Sequence, residues 1–296
     1  MTTISDSILF PAKVLLVGEY AIIKGGEALA LPTTLYAGHW VKGERKSSLK
    51  PEWSSWLEYL RKHCDDFLDN KLLEEYLING WDFSANIPHG YGLGSSGALV
   101  AAVYMHFAKQ KTYDTPLPEL KARLGIMESH FHGKSSGFDP LISILNKPIY
   151  LIGNEIKTIE KLNWNNTSHS WYLFDIGTPR TTVHLVNQFL EKCNNMYFQE
   201  KIDHQLIPLN SEAIHLFLNN QPEKLFETIH EISYFQWQFF SEMIPDSLRQ
   251  MWLDGLASDN FKMKLCGAGG GGFALCYAKN SNLTQEQSAH LIPLHF

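Results

Sequence analysis

The run Ile87-Pro88-His89-Gly90-Tyr91-Gly92-Leu93-Gly94-Ser95-Ser96-Gly97-Ala98 constrains this chain more than any other stretch. Glycine stands at every second position from Gly90 to Gly94, two serines follow, and an apolar, helix-like segment runs from Leu99 to Phe107. Backbone without Cβ atoms wraps closely around an anion, and the N–H groups at a helix start point outward with a favourable dipole. Serine hydroxyls at such a place contact a phosphate or coordinate Mg²⁺. The stretch therefore reads as a nucleoside triphosphate cradle. Taken alone, a glycine turn ahead of a capped helix accounts for it as well. Two commoner phosphate motifs are excluded. No Lys-Ser or Lys-Thr follows the last glycine, as a Walker A loop requires, and the glycine spacing is not that of the dinucleotide fingerprint.

The 296 residues provide for one large or two modest domains with a buried core. A hydrophobic share of 44% and a charged share of 19% fit a soluble globular protein. The formal net charge of −6 makes nucleic acid or an anionic membrane a poor main partner. No apolar stretch approaches the roughly 20 residues that span a bilayer. Met1 to Leu9 has neither the basic region nor the apolar core of a signal peptide, so a cytoplasmic location is expected. Cys64, Cys193, Cys266 and Cys276 are scattered and form no CxxC pair, which predicts reduced, buried thiols and no zinc site. His130 and His132 would face different sides of a helix and make a poor shared metal site.

Val14–Val17 and Ala28–Leu31 read as strands flanking a turn at Gly25-Gly26. Residues 53–78 carry apolar side chains at helical spacings, with Trp53 and Trp56 read as packing residues. Trp81 to Ile87 alternates and reads as a strand delivering the serine loop. Pro116 and Pro118 open a helix that runs to about His132 and ends at Gly133. A hairpin is expected around Gly153-Asn154, a linker over Asn163–Ser170, and a new strand over Trp171–Ile176. Helices follow near 181–202, 210–219, 222–242 and 246–257, then strands at 262–266 and 273–278. This mixed order predicts an α+β fold.

Two further segments join the serine loop: Pro11-Ala12-Lys13-Val14-Leu15-Leu16-Val17-Gly18-Glu19-Tyr20 and Lys264-Leu265-Cys266-Gly267-Ala268-Gly269-Gly270-Gly271-Gly272. In order and separation the three resemble the motifs of the GHMP kinases (galacto-, homoserine, mevalonate and phosphomevalonate kinases). Glu128-Ser129-His130-Phe131-His132-Gly133-Lys134-Ser135-Ser136-Gly137-Phe138-Asp139 resembles the mevalonate kinase pattern Glu-x-x-x-His-Gly-x-x-Ser-Gly-x-Asp, position for position. The resemblance implies a two-domain fold. An N-terminal ATP-binding domain like ribosomal protein S5 domain 2 would span residues 1–167, and a ferredoxin-like C-terminal domain 168–296. ATP and substrate would meet in the cleft between them.

The resemblance also implies roles. Lys13 and Asp139 would be catalytic, the aspartate beside the substrate hydroxyl and the lysine stabilising negative charge during transfer. Gly90, Gly92, Leu93, Gly94, Ser95 and Ser96, with Gly269 and Gly270 of the last loop, would bind ATP. Ser96 and Glu128 would hold Mg²⁺, for which oxygen ligands are wanted. Glu19, Tyr20, His132 and Arg180 would contact substrate, Arg180 through the Pro179-Arg180 step that resembles a mevalonate kinase strand end. Mevalonate is the implied acceptor, a small-molecule partner, and the family's habit implies a homodimer. Tyr20 stands where mevalonate kinases usually have His, Gly97 replaces a usual Ala, and Cys266 a customary Thr or Ser. The Gly-Glu-Tyr sequence makes phosphomevalonate kinase the alternative. A non-catalytic metabolite-binding protein of the same fold is the alternative of another class.

Overall fold

The computed structural model describes residues 7–153, 155–162, 164, 168–179, 182–280 and 290–295. The chain forms two compact units interleaved in sequence. One comprises Met1–Lys13, Pro32–Pro88 and Leu93–Lys147, the other Val14–Leu31, His89–Gly92 and Pro148–Phe296. Strands β1 (Phe10–Val17) and β2 (Ala28–Lys42) contribute residues to both and are longer than the sequence suggests.

In the first unit the far half of β2 pairs antiparallel with β3 (Trp81–Ala85), from Gly38 opposite Ala85 to Lys42 opposite Trp81. The expected helical stretch 53–78 is two helices, α1 (Pro51–His63) and α2 (Asn70–Ile78). The break has a tertiary cause. Backbone of Phe67 and Asp69 bonds to Lys109 and Phe107, beyond and at the end of α3 (Ser95–Phe107), and the Asp69 side chain caps α2 by accepting from Leu72 N at 3.0 Å. Helix α3 is apolar almost all round and packs against α2, α4 (Leu117–His132) and α5 (Phe138–Leu145), as a helix without a polar face must. Trp40, Trp53 and Trp56 are buried, the first two stacked with ring centroids 6.1 Å apart.

In the second unit β4 (Ile149–Ile152) pairs with the near half of β2 and with β5 (Glu155–Thr158). This is the expected hairpin, although Asn154 itself lies outside the described residues. Half of the expected linker 163–170 does too, and β6 (His169–Asp175) already begins within it. A four-stranded sheet runs in the order β7 (Phe261–Leu265), β8 (Phe273–Lys279), β6, β9 (Leu291–Leu294). Helices α9 (Pro222–Phe239) and α10 (Asp246–Ala257) pack on β7, and Trp252, Phe261, Phe189 and Phe240 are core members.

The helical region near 181–202 is likewise divided. Helix α6 (Thr182–Lys192) ends before Asn195, whose side chain caps α7 (Met196–Lys201). A π-helical turn, Ile202–Leu206, leads into α8 (Ile207–Leu218). Pro208 explains the widened turn: it has no N–H to give and its ring crowds the carbonyl four residues back. All four cysteines are buried free thiols. No described helix is long and apolar enough to cross a membrane.

Candidate functional site

The predicted residues gather in two groups, one in each unit. In the first unit, Lys13 is carried on β1 and is buried, on the face opposite to that of Ala12, Val14 and Leu16. Its backbone N–H donates to Leu93 O at 2.9 Å, which ties the strand to the serine loop. Its Nζ lies 3.1 Å from Asp139 Oδ1. Asp139 stands in the first turn of α5, where a carboxylate is favoured by the helix dipole. Gly94 ends the loop in the left-handed conformation, φ 74°, and a Cβ there would crowd both Lys13 and Asp139. At Gly97 a Cβ would come within 2.9 Å of the Asp139 and Pro140 backbone, so glycine here lets α3 lie against the start of α5.

Glu128, on α4, is buried beside this pair. Ser96 Oγ donates to its Oε1 at 3.0 Å and Ser135 Oγ to its Oε2 at 2.5 Å. His132 Nε2 lies 2.9 Å from Ser96 Oγ. With that nitrogen protonated, the ring donates to Ser96 and Ser96 passes its own hydrogen to Glu128. Burial, reinforced by the negative charge of Asp139, pushes the Glu128 carboxyl up to about 7 against the opposing hydroxyl bonds. His130 packs instead on Tyr59 and Phe131.

These oxygens suit Mg²⁺. The Glu128 carboxylate and the Ser96 hydroxyl are hard donors, and a carboxyl held up by burial and a like charge is one that a cation would stabilise. Among the described residues no three His, Cys, Asp or Glu side chains converge as a metal cage.

The second group lies in the other unit. Glu19 is fully buried, its Oε1 accepting from Lys264 Nζ at 2.7 Å and from Gly267 N at 3.4 Å, while Oε2 has no hydrogen-bond partner. Burial raises its pKa, with Lys264 pulling the other way. Tyr20, in the left-handed region at φ 61°, is also buried. Its hydroxyl donates to Ala268 O at 2.6 Å and its ring packs on Phe189 and Phe240. Both predicted substrate contacts are thus engaged within this unit's own core.

The glycine run they support joins β7 to β8. Gly267, Gly269, Gly270, Gly271 and Gly272 all have positive φ, so a plain β-turn does not describe it. Gly270 N bonds to Met243 O at 2.7 Å and Gly272 N to Thr178 O at 2.6 Å, and Cβ atoms at Gly269 and Gly271 would strike backbone oxygens. Gly90 and Gly92, at φ 76° and 80°, belong to this unit. Arg180 lies outside the described residues.

Sequence reasoning missed two partners. Ser135 occupies an unspecified position of the Glu-to-Asp pattern and becomes visible only when the loop folds back on α4. Lys264 opens the last motif and has no role there until it meets Glu19; it shares a short, otherwise apolar strand with Lys262, and only the fold separates the two.

Residues 58–147 match the family model of the GHMP kinases N terminal domain. No curated protein matches the sequence. Among solved structures, the Lin0012 protein from Listeria innocua superposes with a TM-score of 0.68 at 16% identity, covering 97% of this chain and 96% of that one. The L. major mevalonate kinase, in complex with R-mevalonate, gives 0.64 at 14% identity over 99% and 98%. The Streptococcus pneumoniae phosphomevalonate kinase gives 0.66 at 15% identity over 97% of each chain. At these identities the likeness is one of fold.

Proposed function

We propose an ATP-dependent phosphotransferase function for this chain, which belongs to the GHMP kinase superfamily by its N-terminal domain and its fold. The acceptor is a small-molecule alcohol, and mevalonate, giving 5-phosphomevalonate, is the reading the motifs favour. The observation that carries the proposal is the Lys13–Asp139 pair at 3.1 Å beside Gly94, with buried Glu128 and Ser96 adjoining it.

In this reading Asp139 accepts a hydrogen bond from the acceptor hydroxyl and orients its oxygen toward the γ-phosphorus. As the new O–P bond forms and the β–γ bridge breaks, the hydroxyl proton leaves toward Asp139. Lys13 holds Asp139 in place and offsets negative charge during transfer. The serine loop, Gly90 to Ser96, cradles the nucleotide phosphates, and Gly269 and Gly270 keep the nucleotide-contacting role that their motif implies. Glu128 and Ser96 would hold Mg²⁺, which would supply neutralisation of phosphate charge. His132 orients Ser96, and Arg180 serves the acceptor. By its motifs the chain divides into an ATP-binding domain over residues 1–167 and a C-terminal domain over 168–296 of a cytoplasmic enzyme, a division along the sequence that differs from the interleaved compact units.

One observation keeps phosphomevalonate as a second acceptor. Tyr20, the residue that departs from the mevalonate kinase pattern, spends its hydroxyl on Ala268. It therefore does not argue for mevalonate as a histidine there would. An ADP-release assay with ATP and Mg²⁺ against mevalonate, 5-phosphomevalonate, homoserine and galactose decides. Turnover with mevalonate alone is expected. Turnover with phosphomevalonate alone would reverse the order, and silence with all four would favour a metabolite-binding protein.

A further inference from the structure

Glu128 is a buried carboxylate whose two oxygens are each held by a serine hydroxyl, while the nearby ammonium of Lys13 is paired with Asp139 instead. The distinction matters. A lysine or arginine on Glu128 would fix the side chain and cancel its charge together. A hydroxyl fixes the side chain and leaves the full negative charge for a cation.

Ser135 is built for this task. Its Oγ accepts from Gly137 N at 3.0 Å, so its one hydrogen is free to point to Glu128 Oε2 at 2.5 Å. Its own N–H donates to Ser129 Oγ at 3.1 Å, and Ser129 in turn donates to Gly125 O at 2.7 Å. The backbone permits this only through two glycines. A Cβ on Gly137 would lie 2.0 Å from Lys121 O, and one on Gly125 would lie 3.1 Å from Ser135 O. With no Cβ at either position, the loop after α4 folds back on that helix and returns Ser135 to Glu128 on α4.

We propose that Ser135 is a positioning residue of the metal site, holding Oε2 of Glu128 so that Oε1 stays beside the Ser96 hydroxyl. The proposal rests on the phosphotransferase reading for the role of Glu128, and it adds a residue that the motif leaves open. It predicts that Ser135 acts on cation affinity and not on the acceptor.

The test is Mn²⁺ binding to the full chain with a non-hydrolysable ATP analogue, followed by electron paramagnetic resonance, for wild type, S135A and S129A. Urea midpoints monitor folding. S135A is expected to bind Mn²⁺ about tenfold more weakly, the scale of one hydrogen bond to a charged group. S129A, which removes only the backbone support, is expected to stay close to wild type. Equal affinity in S135A and wild type would overturn the proposal. So would equal weakening in S135A and S129A, because loop integrity would then explain the loss. A wild type that binds nucleotide without Mn²⁺ would instead remove the phosphotransferase reading beneath it.

Discussion

Asp139 meets the rest of the molecule through few atoms, and each has a definite consequence. One oxygen faces Lys13, and its backbone faces Gly97. Replacing Asp139 by Ala removes the hydroxyl acceptor and leaves the glycine cradle as it is. Turnover should fall about a thousandfold, the range of a lost general base, with nucleotide binding by calorimetry retained. Unchanged turnover would take Asp139 out of the reaction. Gly97 tests the same site from behind. Alanine is the better helix former by about 1 kcal/mol, so a free surface position would gain from G97A. Here the new Cβ meets backbone within 2.9 Å, and backbone does not swing aside. The overpacking cost of about 1–3 kcal/mol should win, lowering the urea midpoint and kcat together as α5 and Asp139 are displaced. A stabilised G97A with full activity would mean that α5 shifts freely.

Elements in this fold are held by partners far off in sequence, and the β7–β8 connection shows how. Its glycines adopt conformations that other residues resist, so something must keep the loop in one of them. The buried Glu19–Lys264 pair and the Tyr20–Ala268 bond do this from the turn after β1. Lys264→Met would strand the Glu19 carboxylate in the core at a cost of about 3–5 kcal/mol, whereas the double change E19M/K264M should recover most of it. Urea denaturation of the three proteins checks this; a double variant no better than K264M would show that the pair is not a unit. Such dependence also explains what the sequence left unread. Glycine and proline punctuation marks the start of α3, the end of α4 and the β7–β8 hairpin, and apolar runs mark the strands, because those signals are local. The α1–α2 break is not local. Leu60, Phe67, Leu68 and Leu72 keep a helical rhythm across it, and the backbone of α3 decides the matter. The meeting of Lys13 with Asp139 was legible only through the family pattern, and Ser135 only through the path of the loop.

At the scale of the whole molecule, acid stability separates general from specific electrostatics. With 31 acidic and 25 basic residues, the chain first loses net charge as pH falls from 7, so self-repulsion initially declines. Destabilisation comes from carboxylates that the fold prefers ionised and from buried histidines, such as His106 and His169, that it prefers neutral. Asp82 on β3 is the clearest carboxylate. Burial alone would raise its pKa, but hydrogen bonds from Lys50, Trp53 and Lys46 outweigh this and bring it down to about 2. A carboxyl depressed in the folded state stabilises fully above its unfolded pKa, 3.8, and loses that contribution as pH falls toward about 2. The shift corresponds to about 1–2 kcal/mol, allowing for solvent screening of the exposed Lys50 arm. Urea unfolding of wild type and D82N should therefore differ by about that amount at neutral pH. The gap should hold down to about pH 4 and close below it. Because Asp82 also ties β3 to α1 through Trp53, D82N keeps one acceptor for the indole and isolates the charge. A gap of constant size across the whole range would place the stabilisation in hydrogen-bond geometry and not in the ionised carboxylate.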